Sequence, residues 1–190
     1  MSCGAGYINK KLNAALIVCM LIFVVRNYLT ALNKDLKEIA MELILWRHAE
    51  AEEGFPDMAR QLTGKGLDQA RRVADWLKPK LPEKARIIVS PARRTQQTAM
   101  ALQLDFLTDA AIGPGASARA VLAAANWPDA EGTVVIVGHQ PTLGEIANYL
   151  IPSVPPGLRV KKGSVWWIRC EEKENINEPV LHTVIYPEML

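Results

Sequence analysis

The segment that most restricts this chain is Glu42-Leu43-Ile44-Leu45-Trp46-Arg47-His48-Ala49-Glu50. Its apolar run has the length of a strand, and it halts on an arginine and a histidine. Two such side chains are costly inside a strand unless they are paired. They are well accommodated at the carboxyl end of a strand in an open α/β sheet, where ligands bind. The pattern recurs downstream, where the β-branched run Thr133-Val134-Val135-Ile136-Val137 continues through Gly138 to His139. The chain holds three histidines, and two of them end apolar runs in this way. His48 and His139 are therefore read as parts of one phosphate-handling site.

From Met41 onward, strand patterns alternate with helical ones. The first strand is read over about 42–47, and Arg86-Ile87-Ile88-Val89 forms a second. Between them Thr63 is a suitable N-cap for a helix with Leu67, Ala70, Val73, Ala74 and Leu77 on one face. Pro79 and Pro82 end it. Ser90-Pro91 predicts the start of the next helix, with Ser90 as N-cap and a run to about Leu104. An extended piece over 105–108 and an alanine-rich helix from Ser117 to Asn126 follow. After the strand 133–137, the spacing Thr142 to Glu145 predicts a capping box and a helix to about Leu150. Ser164–Arg169 and Pro179–Tyr186 read as two strands, with 171–178 as a polar connection. The alternation predicts an α/β three-layer sandwich with a mostly parallel central sheet and helices on both faces. A chain of 190 residues is enough for one such domain and short for two.

Residues 1–40 differ from the rest. Lys10 and Lys11 precede an apolar run from Ala14 to Val25, which Arg26 closes. Such a run is short for a spanning helix, which needs about 20 residues. An uncleaved anchor or signal, an accessory helix and an upstream extension from a misassigned start are three readings of it. The extension is favoured, with the domain running from 41 to 190, because the strand that carries the chemistry begins at Glu42. Contact with a membrane is expected only through residues 12–25, and a cytoplasmic location is the expectation.

A net charge of +2 gives no field for nucleic acid, so any cationic character must be local. Cys3, Cys19 and Cys170 are scattered and odd in number, which fits a reducing compartment better than a disulfide framework or a zinc site. The local charge lies at Arg47 and in Ser90-Pro91-Ala92-Arg93-Arg94, where two arginines fall in the first turn of a helix. A helix N-terminus favours anions, and a guanidinium fork matches phosphate oxygens.

Four motifs now stand in order. They are Arg47-His48-Ala49, Leu62-Thr63-x-x-Gly66-x-x-Gln69-Ala70, Ser90-Pro91-x-x-Arg94-x-x-Gln97-Thr98 and Gly138-His139. Together they resemble the histidine phosphatase superfamily, in particular its small SixA-like phosphohistidine phosphatases, over about 42–186. The resemblance implies a phosphoglycerate-mutase-like fold and a covalent phosphohistidine on His48. It further implies that Arg47, Arg94 and His139 clamp the phosphoryl oxygens, with Arg60 near the pocket. It implies no metal and no cofactor, since arginines supply the charge that magnesium gives elsewhere. The third motif residue, usually glycine, is Ala49 here.

One departure bears on substrate. Mutase-type and broad monoesterase members carry a glutamate as general acid where this chain has Ala111, with Asp109 two residues away. An alkoxide leaving group needs that proton, and general acid catalysis is worth about 10²–10⁴-fold. A phosphoimidazole can leave as neutral imidazole, so the sequence favours a phosphorylated protein carrying phosphohistidine. The alternatives are a monoesterase for small phosphorylated metabolites, with Asp109 or Glu53 as acid, and a non-catalytic phospho-ligand module. Arg93, Glu50, Glu53 and the other acidic residues of 50–57 read as solvated surface. Ser90 reads as a cap and His182 as structural. Trp166 and Trp167 alternate across a strand, which suits core packing.

Overall fold

A computed structural model of the chain describes residues 39–153, 157–173 and 176–190. The apolar run 14–25 and the readings attached to it lie outside the described residues. Among the described residues no helix is long and apolar enough to cross a membrane.

Among the described residues six strands form one sheet in the order β3-β2-β4-β1-β5-β6. They are β1 (Ile39–Arg47), β2 (Arg86–Val89), β3 (Leu107–Thr108), β4 (Gly132–Gly138), β5 (Val165–Lys173) and β6 (Ile176–Ile185). The pairs β3–β2, β2–β4 and β4–β1 are parallel, whereas β5 pairs antiparallel with both β1 and β6. The α-helices of the described residues are α1 (Gly64–Leu77), α2 (Arg93–Met100), α3 (Ala118–Ala125) and α4 (Thr142–Leu150).

Successive residues of a strand point to opposite faces, and the central strands are apolar on both. Leu43, Leu45, Val134 and Ile136 join one core with Val121 of α3 and Leu143, Ile146 and Ala147 of α4. Ile44, Trp46, Val135 and Val137 join the other with Val73, Ala74 and Leu77 of α1 and Ala99 of α2. Two helices therefore cover each face, and the three-layer expectation holds. Trp166 lies in the first core and Trp167 in the second, as their alternation requires.

Several local expectations are corrected. β1 begins at Ile39, where pairing with Glu171 of β5 extends it past the apolar run. Leu67 lies on the exposed side of α1, and Gly66 and Gln69 take the buried places. α2 ends at Met100, four residues short of Leu104. The expected capping box of α4 is not formed: Pro141 is the N-cap, and the Thr142 hydroxyl donates to the Ala116 carbonyl at 2.7 Å. The polar connection 171–178 is mostly ladder, because Glu171 pairs with Glu178 and Glu172 with Asn177 on the edge of the sheet.

Candidate active site

Register brings the chemistry together. Arg47 lies beside Gly138 in the β1–β4 ladder, and Val89 lies beside Val137 in the β2–β4 ladder. The next residues of these three strands are His48, His139 and Ser90. All three sit at the carboxyl edge of the parallel part of the sheet, where α/β folds bind ligands. The His48 amide donates to the Gly138 carbonyl at 3.1 Å, and the Ser90 amide to Val137 at 3.1 Å. The imidazole centroids of His48 and His139 are 5.4 Å apart, with the planes tilted by 53°.

The backbone after His48 is held by side chains that do no chemistry. The Ala49 amide donates to Thr98 Oγ1 at 3.1 Å, and the Glu50 amide to Gln69 Oε1 at 3.0 Å. The Thr63 amide donates to the Glu50 carbonyl at 3.0 Å, and the Leu62 amide to Gln97 Oε1 at 2.8 Å. Thr63 also caps α1 by accepting from the Gly66 amide at 2.9 Å. Gly66 is required there, because a Cβ would collide with the Glu50 carbonyl. Five motif residues outside the pocket thus brace the turn that presents the histidine.

Each imidazole has one tautomer. His48 Nδ1 lies 2.8 Å from the Ala49 carbonyl. A carbonyl only accepts, so Nδ1 carries the proton and Nε2 keeps its lone pair. His139 Nδ1 lies 3.3 Å from Arg94 Nη2. A guanidinium only donates, so His139 holds its proton on Nε2 and gives it to Ser90 Oγ at 2.7 Å. Burial, with the nearby His139, Arg94 and Arg47 and against the Ala49 hydrogen bond, lowers the His48 pKa to about 3. Burial and the Arg94 charge lower that of His139 to about 4. Both rings are neutral at pH 7.

Three guanidinium groups complete the site. Arg47 donates from Nη1 to the Val160 carbonyl at 2.8 Å, and burial together with Arg159 and Arg94 lowers its pKa. Arg94 donates to the Asp57 carbonyl at 2.7 Å and to Asp57 Oδ2 at 3.0 Å. Arg60 Nε lies 3.5 Å from Asp57 Oδ1. The Nε atoms of Arg47, Arg60 and Arg94 are all buried without a hydrogen-bond partner. Buried donors are normally paired, so three unpaired ones around two neutral imidazoles form a receptor for an anion. Arg47 also borders a pocket of about 580 Å³ with Gln140, Glu145, Asn148 and Arg159. Among the described residues no group of three or more His, Cys, Asp or Glu side chains could hold a metal ion.

His48, Arg47, Arg94, His139 and Arg60 are thus brought together. Arg93, the other half of the arginine pair, is exposed. Ser90 is not the N-cap: α2 starts at Arg93 with Ala92 as N-cap, and the Ser90 hydroxyl meets His139. Asp57, expected at the solvated surface, is bonded to Arg94 and belongs to the site. Ala111 is exposed, and the Asp109 carboxylate accepts from the Ala111 amide at 2.8 Å.

A parallel sheet with two histidines and three arginines at its carboxyl edge is the arrangement of a phosphate-transferring α/β protein. The chain belongs to the histidine phosphatase superfamily, whose branch 1 model matches residues 43–113, and is a phosphatase of the hydrolase class. It is 28% identical over 129 residues to the phosphohistidine phosphatase SixA of Escherichia coli (strain K12), covering 62% of this chain and 79% of that protein. It is 36% identical over 147 residues to an uncharacterised protein of Picosynechococcus sp. (strain ATCC 27264 / PCC 7002 / PR-6), covering 68% of this chain and 85% of that one. Among solved structures, the protein histidine phosphatase SixA complexed with tungstate has the same fold, with a TM-score of 0.67 at 22% identity over 78% of this chain and 99% of that one. A SixA-type protein from Nakamurella multipartitia gives a TM-score of 0.65 at 25% identity, over 77% and 96%.

Proposed function

We propose that the chain is a phosphohistidine phosphatase that acts on a phosphorylated protein through a covalent intermediate on His48. His48 Nε2 attacks phosphorus in line, while Arg47, Arg60 and Arg94 hold the equatorial oxygens and His139, its Nε2 proton turned from Ser90 to the phosphoryl group, joins them. Such catalysis is mostly positioning and charge neutralisation, and guanidinium groups supply the charge. Water then releases phosphate from His48. The observation that carries this reading is the Nδ1 contact of His48 with its own neighbour's carbonyl at 2.8 Å, which leaves Nε2 as a free, neutral nucleophile.

The substrate class rests on the missing acid. Asp109 is engaged as a cap, and Glu53 is 92% exposed at 3.8 Å from Arg60. Neither is arranged to protonate an alkoxide, whereas imidazole leaves without that help. The test is a hydrolysis panel comparing a phosphohistidine protein with p-nitrophenyl phosphate and sugar phosphates, alongside trapping of labelled phosphate on His48. Preference for the phosphohistidine protein and label lost in His48→Ala are expected. Fast ester turnover with phosphohistidine untouched would overturn the substrate, and full activity in His48→Ala would overturn the nucleophile.

A further inference from the structure

A phosphate clamp gains nothing from a carboxylate bound to it, yet Asp57 is tied to Arg94 through two oxygens. Its carbonyl accepts from Nη1 at 2.7 Å and Oδ2 from Nη2 at 3.0 Å. Oδ1 is left 3.5 Å from Arg60 Nε, without a hydrogen bond to it. The Arg94 side chain is 5% exposed and the Asp57 side chain 52%, so the carboxylate lies on the solvent side of the guanidinium. His48 and His139 are buried, and Arg94 joins His139 to the exposed Asp57 carboxylate. An anion there repels phosphate and weakens the clamp, a cost recovered only with a substrate that brings a positive charge of its own.

We propose that Asp57 selects for a cationic leaving group, its carboxylate accepting the far N–H of a protonated phosphoimidazole while the phosphoryl group passes to His48. This rests on His48 being the nucleophile. The Asp57 carboxyl is ionised at neutral pH: desolvation raises its pKa, but the Arg94 hydrogen bond and the Arg94 and Arg60 charges hold it below the ordinary value. It therefore accepts and does not donate, and it is no acid for an ester.

The step closes without moving a proton. The His48 Nε2 lone pair forms the new N–P bond, and the electrons of the old N–P bond return to the leaving ring. That ring already carries a proton on its far nitrogen, so it departs as neutral imidazole. Water oxygen then attacks phosphorus, and the N–P electrons return to Nε2. Both protons of the water stay with the product, dihydrogen phosphate, which releases one to solvent. An ester of a neutral alcohol or phenol presents no such cation to Asp57.

The ratio of kcat/KM for N-phosphohistidine to that for phenyl phosphate reads this charge directly. In Asp57→Asn the rate for phenyl phosphate holds or rises, because the anion opposed to the clamp is gone while the Asp57 carbonyl still holds Arg94; the rate for N-phosphohistidine falls, and the ratio drops about tenfold, the size of a charge-assisted hydrogen bond. Asp57→Glu, which keeps the charge, retains a ratio within about threefold of the parent. A ratio that stays within about threefold in Asp57→Asn, or that falls equally in both variants, leaves Asp57 as a tether for Arg94 and overturns the proposal. Labelled phosphate on His48 of the unaltered protein is measured in parallel. Its absence sinks the nucleophile, whereas label with an unmoved ratio sinks Asp57 alone.

Discussion

The parallel part of the sheet and the antiparallel β5–β6 pair use the same side chains to different ends. His48 and His139 terminate adjacent parallel strands, are buried, and have both ring nitrogens within bonding reach of a partner or free for attack. His182 lies within β6, is exposed, and sets its ring edge-on to Trp167 at 5.6 Å. Arginine divides in the same way. Arg94 leaves a buried Nε unpaired at the site, whereas Arg169 on β5 gives its Nε to Glu42 at 2.8 Å. Parallel strands all point their carboxyl ends one way, so loops and their polar side chains collect along one edge. The antiparallel pair has no such common edge, and its polar residues are spent on neighbours.

The sharpest way to break this contrast is at His48. His48→Ala should reduce turnover by about 10⁴-fold or more, as removal of a nucleophile does. His182→Ala, made in parallel, should not. Comparable losses in the two variants would erase the distinction between the two parts of the sheet. Next in size is Arg94→Ala, which removes the charge opposed to the phosphoryl oxygens and should cost about 10³-fold. The matching change Arg169→Ala should leave turnover intact and lower the urea midpoint, because it abandons Glu42 beside Thr133.

Ser90→Ala is expected to act more gently. It removes the acceptor of the His139 Nε2 proton, and a buried donor left unpaired costs about 1–3 kcal/mol. A loss of about tenfold in kcat should accompany it. A fall in stability with kcat unmoved would make Ser90 a packing residue.

These residues also mark what could be read in advance. The strand ends at His48 and His139 were legible because a polar stop after a buried run is a local signal. The residues Thr63, Gly66, Gln69, Gln97 and Thr98 were visible as motif, but their task was not, since each meets residues 48–50 or Leu62 from a helix 13 or more positions away. Ser90 was misjudged for the same reason. Ser-Pro has a local meaning as a helix start, and the partner that overrides it is 49 residues away. Asp57 was hidden among Glu50, Glu52 and Glu53, because nothing in an acidic loop says which carboxylate meets Arg94.

A separate effect concerns stability in acid, and its sign follows from where the protons are. His48 and His139 have folded pKa values of about 3 and about 4, below the ordinary histidine value of 6.5. Between those limits the unfolded chain binds protons that the folded protein refuses, so stability must fall as pH falls. The loss begins near pH 6.5 and continues down to about pH 3–4. Urea midpoints measured across this window should decline, and the double variant His48→Asn with His139→Asn should flatten the decline. A decline that survived the double variant would detach it from the buried pair, and the two strand-end imidazoles would then not be the groups that refuse protons in the folded protein.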